Sequence, residues 1–380
     1  MRQELPRLAC VGTVVTFAQC NGSLDAVHEH CTRTEVARRL ALLKGFDFGD
    51  EYDASHQYAS QPLYLVPNDT LSRAQLAALP QVDPSDPLFG GVVPYAFVAT
   101  KAITHPLPYP GASAPKGWST DFGKRVGGVV FRGFSAFDLE AARAAGRTLL
   151  AHGAVRVKRV QATGGRGQTV AASLHALSAV LDTLPSQELS THGVVLEENL
   201  NALRTWGIGQ TRVGASIISY YGIQRLVRNH QGELVYGGTD LNVVRGGFDV
   251  LLTQPLPRNV RLAARFAVCY HTAVQDCFEG FFASRANYDV LLGARTNGEL
   301  CLGVLEQSWR AGGATGAEIA ALEHFAAQPR SQRVRASTFE VYDSAAEPPP
   351  EAAVYFHGVD PQAGPLLKYT LLHHDGDDPA

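Results

Sequence analysis

A chain of 380 residues and 40.8 kDa is long enough for two or three domains with substantial cores. Its 45% hydrophobic and 18% charged content excludes a disordered chain, and a net charge of −3 without a run of like charges excludes nucleic acid or an anionic membrane as principal partner. No apolar stretch reaches the roughly 18 residues that cross a bilayer. The six cysteines, at 10, 20, 31, 269, 277 and 301, form no CxxC pair and no zinc spacing, which predicts a cytoplasmic protein with reduced thiols held mostly in its core. Lysine occurs only at 44, 101, 116, 124, 158 and 368, so a lysine in a special place is informative.

Residues 1–105 read as a small α/β unit. Leu8 to Phe17 is expected as a buried strand rather than a signal peptide's apolar region, Thr34 to Lys44 as a helix, and Pro62 to Val66 as a strand. Thr70 to Leu79 reads as a short helix with Leu71, Leu76 and Leu79 inward, and Val92 to Thr100 as a further strand. His105 to Pro115, rich in Pro, Gly, Ala and Ser, reads as a linker. A second unit begins near Gly117, with a strand at Val129 to Phe131 and a capping-box-like helix start at Ser135 and Asp138. Ala154 to Val160 alternates as a strand, with Val155 and Val157 on one face and Arg156 and Lys158 on the other. A glycine-rich turn, Gly164-Gly165-Arg166-Gly167, follows it; such a turn lets backbone N–H groups approach phosphate, but it is neither a P-loop nor a dinucleotide fingerprint, and a plain structural turn fits equally.

Ser173 to Leu184 is a helix with Leu174, Leu177, Leu181 and Leu184 inward, and Gly193 to Leu200 an apolar strand ending in Glu197 and Glu198. Strands at Arg212 to Tyr220, Gln224 to Asn229 and Glu233 to Val244, with a turn at Asn229 to Gly232, precede a helix over Pro257 to Cys277. Asn297-Gly298 between apolar runs then predicts a two-residue hairpin turn, with Thr296 paired to Glu299. Counting outward sets Asp289 opposite Glu306, their Cβ atoms about 5 Å apart, which is repulsive unless a divalent cation joins them. Ser308 and Arg310 fall on the Glu306 side. A surface hairpin with solvated acids is the alternative. Thr315 and Glu318 suggest a capping box that opens a helix through Phe325, and its N-terminus would attract an anion beside Arg310. A strand at Arg333 to Tyr342, two further strands and a disordered charged tail complete the chain.

The series of strand lysine, glycine-rich loop, apolar strand ending in Glu, antiparallel sheet, helix and acidic hairpin resembles the ATP-grasp superfamily over roughly residues 116–325. Within that superfamily it resembles a bacterial family of uncharacterised function. The resemblance implies an α/β fold, α+β in part: two α+β lobes clasping ATP after a small pre-ATP-grasp domain. The domains would be 1–105, a small lobe at 117–200, a large lobe at 201–330 and a C-terminal segment at 331–380.

It further implies that Lys158 and the Gly164, Gly165, Arg166 and Gly167 loop hold the ATP phosphates. Glu197, Glu198 and Leu200 would form the adenine hinge, and Asp289, Glu306 and Ser308 would bind Mg²⁺, with Ser308 standing where asparagine is common. Arg310 would act catalytically with Lys158. The family's earlier lysine is either Lys116 or Lys124, and Lys124 lies nearer the expected strand. Arg225, Arg228, Asp240 and Arg245 lie on strands expected to face the cleft. The implied activity is ATP-dependent carboxylate–amine ligation through an acylphosphate, with small-molecule carboxylate and amine substrates. A phosphotransferase and a non-catalytic ATP-binding module are the alternatives, and the sequence is compatible with a homodimer.

Overall fold

A computed structural model describes residues 12–19, 26–56, 58, 62–79, 82, 83, 85–162 and 167–373. In chain order the elements are β1 (Thr13–Phe17), α1 (Val27–Lys44), β2 (Asp47–Glu51), β3 (Leu63–Pro67), β4 (Leu71–Ser72), α2 (Arg73–Ala77) and β5 (Gly91–Val93). Two 3₁₀ turns (Ala96–Ala99, Lys101–Thr104) lead to α3 (Thr120–Val126), β6 (Gly133–Ala136), α4 (Leu139–Leu150), β7 (Val155–Arg159), β8 (Gln168–Ala171), α5 (Leu174–Leu181), α6 (Ser186–His192) and β9 (Val194–Glu198). Then come β10 (Asn201–Val213), β11 (Ser216–Arg228), β12 (Leu234–Arg245), α7 (Phe248–Thr253), α8 (Arg258–Cys277), β13 (Phe282–Ala283), β14 (Arg285–Ala294) and β15 (Leu300–Ser308). The chain closes with α9 (Thr315–Ala327), β16 (Arg333–Val341), β17 (Ala353–Asp360) and β18 (Gly364–His373).

Three of the sheets position the site. A parallel sheet in the order β2-β1-β3 forms the amino-terminal unit, and β6-β9-β7-β8 form a small antiparallel sheet backed by α4 and α5. The large sheet runs β15-β14-β10-β11-β12-β16-β18-β17, so the strands after residue 331 extend it. Val260, Ala263, Ala264, Ala267, Tyr270, Ala273 and Val274 repeat at helical spacing along α8, and that buried stripe packs against Trp206, Ile208, Tyr288 and Val290 of the sheet.

Several expectations need correction. Pro94 lacks an N–H donor, so the strand expected over Val92 to Thr100 ends at Val93 and gives way to the 3₁₀ turns. Ser135 sits in β6 and donates to the Ala102 carbonyl, whereas Asp138 is the N-cap of α4 and accepts from Ala141 N. The strand expected over Arg212 to Tyr220 is split at Gly214, whose φ of 56° makes the β10–β11 turn. Val129 to Phe131 holds only a single bridge, Val130 to Val304, before β6 begins. Leu174 is exposed, because it opens α5 on the solvent side, and Leu71 is buried as a strand residue. Cys31, Cys277 and Cys301 are only half-buried and Cys269 is exposed, all four as free thiols, so these four do not serve as core. Leu8 to Val11 and the tail from residue 374 lie outside the described residues.

Candidate active site

The β14–β15 hairpin reaches the expected acidic pairing by a different route. Arg295 N donates to Glu299 O at 2.9 Å and Gly298 N to Arg295 O at 2.9 Å, so the loop has three residues and ends on Gly298 at φ 83°. Thr296 therefore does not pair with Glu299. The register is one residue off from Ala294–Leu300 to Val290–Val304, until an extra residue at Leu305 bulges and restores Asp289 opposite Glu306 and Asn287 opposite Ser308. Turn and bulge offset each other.

Asp289 is half-buried and accepts from Gln224 Nε2 at 3.2 Å and Asn287 Nδ2 at 3.0 Å. Burial, and then the Glu306 charge, push its carboxyl up to about 6 despite those two donors. Glu306 keeps part of its side chain open and meets Lys101 Nζ at 3.2 Å. Lys101 also donates to the Ala162 carbonyl at 2.8 Å, at the root of the glycine-rich turn. The Arg285–Glu318 pair beneath the acids is fully buried at 2.8 Å, joined by Tyr220 and Thr211 on Glu318. Glu318 thus makes no capping box; α9 does begin at Thr315, whose hydroxyl accepts from Gly312 N.

Arg285 Nη1 contacts the Ser308 carbonyl and hydroxyl at 3.3 Å each, and donates to the Arg310 carbonyl at 2.6 Å. The Arg310 side chain, partly exposed, points toward Asp69 at 3.7 Å, linking the hairpin's end to the amino-terminal unit. The acids offer only hard oxygen donors, and burial beside the Glu306 charge raises the Asp289 carboxyl. Both properties fit Mg²⁺. Among the described residues no three His, Cys, Asp or Glu side chains converge.

The opposing half is built on the small sheet. Lys158 on β7 is buried and ion-paired with Glu197 on the neighbouring β9, and His105 Nε2 lies 3.2 Å from the other Glu197 oxygen. Against the cost of burial, Lys158 and His105 hold the Glu197 carboxyl down to about 2. Lys158 is therefore not on an exposed strand face, and His105, expected in a linker, is buried against the sheet. Glu198 turns the other way, accepting from Arg295 Nε at 2.7 Å and Nη2 at 3.0 Å, which latches β9 to the hairpin loop. Leu200 packs with Phe131, Leu291, Cys301 and Leu305 in a small apolar patch between the lobes.

Lys124 is not brought here: it lies on α3, exposed, paired with Asp121 at 2.9 Å. Gly164, Gly165 and Arg166 lie outside the described residues, and Gly167 takes φ 64° at the start of β8. Arg225 pairs with Asp240 and the Thr338 carbonyl, Arg228 closes its own turn on Gly232 O, and Arg245 holds the carbonyls of Phe325, Gln328 and Ser331. All three arginines thus have partners within the fold.

Lys101, His105 and Asn287 are the residues that sequence reasoning missed. The scarcity of lysine was a usable signal for Lys101, and the hairpin count already placed Asn287 beside Asp289; nothing marked His105. Segment 98–105 joins the two halves: Gln307 Nε2 donates to the Val98 and Thr100 carbonyls, Lys101 reaches Glu306, and His105 reaches Glu197.

The structure is similar to that of an N5-carboxyaminoimidazole synthetase from Staphylococcus aureus complexed with ADP, with TM-score 0.58, 12% identity and coverage of 97% of this chain and 95% of that one. A phosphoribosylamine–glycine ligase from Thermotoga maritima superposes with TM-score 0.52 at 14% identity, covering 95% and 92%. The biotin carboxylase domain of the Hydrogenobacter thermophilus 2-oxoglutarate carboxylase, in complex with MgADP and bicarbonate, gives TM-score 0.54 at 12% identity, covering 96% and 86%. A search of curated proteins finds no match. The fold is that of the ATP-grasp enzymes, and the chain belongs to the family described as "Protein of unknown function (DUF3182)", whose model matches residues 16–370.

Proposed function

We propose that this protein is an ATP-dependent ligase of the ATP-grasp type. A substrate carboxylate attacks the γ-phosphorus of ATP, the bond to the β-phosphate oxygen breaks, and ADP leaves. An amine then attacks the acyl carbon, inorganic phosphate departs with the C–O bond pair, and the amine loses its proton to solvent. The observation that carries this reading is the Lys101 ammonium, shared between the metal-type carboxylate Glu306 and the base of the glycine-rich turn. A lysine set there lies where phosphate and metal charges would meet.

Asp289 and Glu306 would hold Mg²⁺, which when bound neutralises charge on the transferring phosphoryl group. Lys101 and Lys158 would supply positive charge to the phosphates, and Gly164, Gly165, Arg166 and Gly167 would bind them. Glu197, Glu198 and the backbone that follows them would meet the base edge, with Leu200 lining the pocket. Arg310, at the junction with the amino-terminal unit, orients the substrate carboxylate and stabilises charge developing on it. This division needs no covalent protein nucleophile.

The test is product analysis with ATP, Mg²⁺ and pooled amino acid and peptide acceptors. ADP and phosphate released only when carboxylate and amine are both present support the ligase. ADP with a stable phosphorylated acceptor identifies a kinase, and nucleotide binding without turnover identifies a sensor; either result overturns the proposal.

A further inference from the structure

The hydrogen bonding around Tyr220 bears on which side chain completes the metal's oxygen set. The Tyr220 hydroxyl has one hydrogen and two oxygens near it, Glu318 Oε1 at 2.6 Å and Asn287 Oδ1 at 3.2 Å. The shorter, charge-assisted contact to the carboxylate takes the hydrogen. Toward Asn287 the Tyr220 oxygen is then an acceptor. It favours an amide turned over, with Nδ2 toward Tyr220 and Oδ1 toward Asp289, an exchange that alters the position of no heavy-atom site.

Turned this way, Asn287 sets an oxygen where its amide now stands, 3.0 Å from Asp289 Oδ1. Two such oxygens repel each other unless a cation joins them. Their spacing matches the roughly 3 Å between neighbouring ligands of an octahedral Mg²⁺ with bonds of about 2.1 Å. Gly207, opposite Asp289 on β10, gives the amide its place: a Cβ there would lie 3.0 Å from Asn287 Oδ1. Ser308, the cross-strand partner of Asn287, is badly placed by comparison. Its hydroxyl faces Arg285 Nη1 at 3.3 Å, and that guanidinium is fixed and 2% exposed, so a dication on Ser308 would stand beside an immovable positive charge.

We propose that Asn287, not Ser308, supplies the third protein oxygen to the metal, its amide turning over as the ion binds while Tyr220 accepts from the freed Nδ2. Tyr220 is thus a positioning residue, held by Glu318. This rests on the ligase reading's metal site.

The experiment titrates Mn²⁺ into the full-length protein with saturating ADP, reading free Mn²⁺ by electron paramagnetic resonance, and measures ADP affinity separately in EDTA. Asn287→Ala is expected to weaken Mn²⁺ binding by about tenfold or more without changing metal-free ADP affinity, and Asn287→Asp to restore it. Ser308→Ala is expected to stay within about twofold. Tyr220→Phe, which keeps the buried ring, should weaken Mn²⁺ by about tenfold and gives an independent reading if Asn287→Ala does not fold. Weakening by Ser308→Ala alone, or unchanged Mn²⁺ binding in Tyr220→Phe, overturns the inference and leaves the ligase reading standing. Absence of nucleotide-dependent Mn²⁺ binding in the unaltered protein overturns the ligase reading, and the inference with it.

Discussion

The small sheet and the β14–β15 hairpin handle buried charge in opposite ways. On the small sheet, Glu197 is enclosed by Lys158 and His105 and its carboxyl is held down to about 2, so its charge is fully answered from within the protein. On the hairpin, Lys101 meets Glu306 alone, and burial beside the Glu306 charge raises the Asp289 carboxyl to about 6. The first half is finished without a ligand, whereas the second waits for positive charge. A fold that spends stability on an unanswered acid pair at this one place concentrates its function there.

The comparison is broken most severely at Lys158. Lys158→Ala leaves a buried carboxylate with His105 alone and should cost about 3–5 kcal/mol in urea unfolding, while Lys158→Met with Glu197→Leu should recover most of the loss. An equally stable single variant would show that the pair is not buried as a unit. Next come the hairpin acids: Asp289→Asn or Glu306→Gln should lower ATP turnover by roughly 10²–10³. Asp289→Asn should at the same time raise the melting temperature at pH 7, because it removes a destabilising charge; a fall in both would contradict the raised carboxyl.

A smaller change tests the bridge between the halves. Lys101→Ala should raise the KM for ATP about tenfold with a lesser effect on kcat, measured by ADP release. The pH dependence then separates the halves. Asp289 keeps its proton to about 6 when folded against an ordinary value of 3.8, so it takes stability away as pH rises from about 4 through 6. Below about 6 it holds a proton in competition with metal, so Mn²⁺ affinity should fall by up to about tenfold per pH unit. Glu197 has the opposite sign: its contribution is present above 4.5 and is lost as pH falls toward about 2. The smallest effect is expected at the partly exposed latch, where Glu198→Ala should cost about 1 kcal/mol or less in urea unfolding.

The residues legible in sequence were those whose partners are set by local geometry. Lys158 could be placed on a strand before a glycine turn, and Glu197 at the end of an apolar run, because alternation and turn chemistry report directly on such positions. Asp289 and Glu306 could be paired by counting from Asn297-Gly298, although the turn has three residues and a bulge at Leu305 makes good the difference. Lys124 drew attention for its nearness to an expected strand, yet it lies exposed on α3. Glu318 carried the spacing of a cap, and a buried guanidinium took it instead, since a desolvated ion pair outweighs a helix end that can bond elsewhere.

By itself, then, the sequence determined several of the strands and helices, the acid pair on one hairpin and the lysine before a glycine turn, because periodicity and turn preference act over a few residues. Only the tertiary structure decided that Lys101 meets Glu306 across 205 positions of chain, that His105 closes on Glu197, and that Arg285 occupies the Ser308 side of the hairpin while Asn287 keeps the other. Those choices depend on which charges are desolvated together when the lobes pack, and desolvation is a property of the assembled core rather than of any stretch of chain.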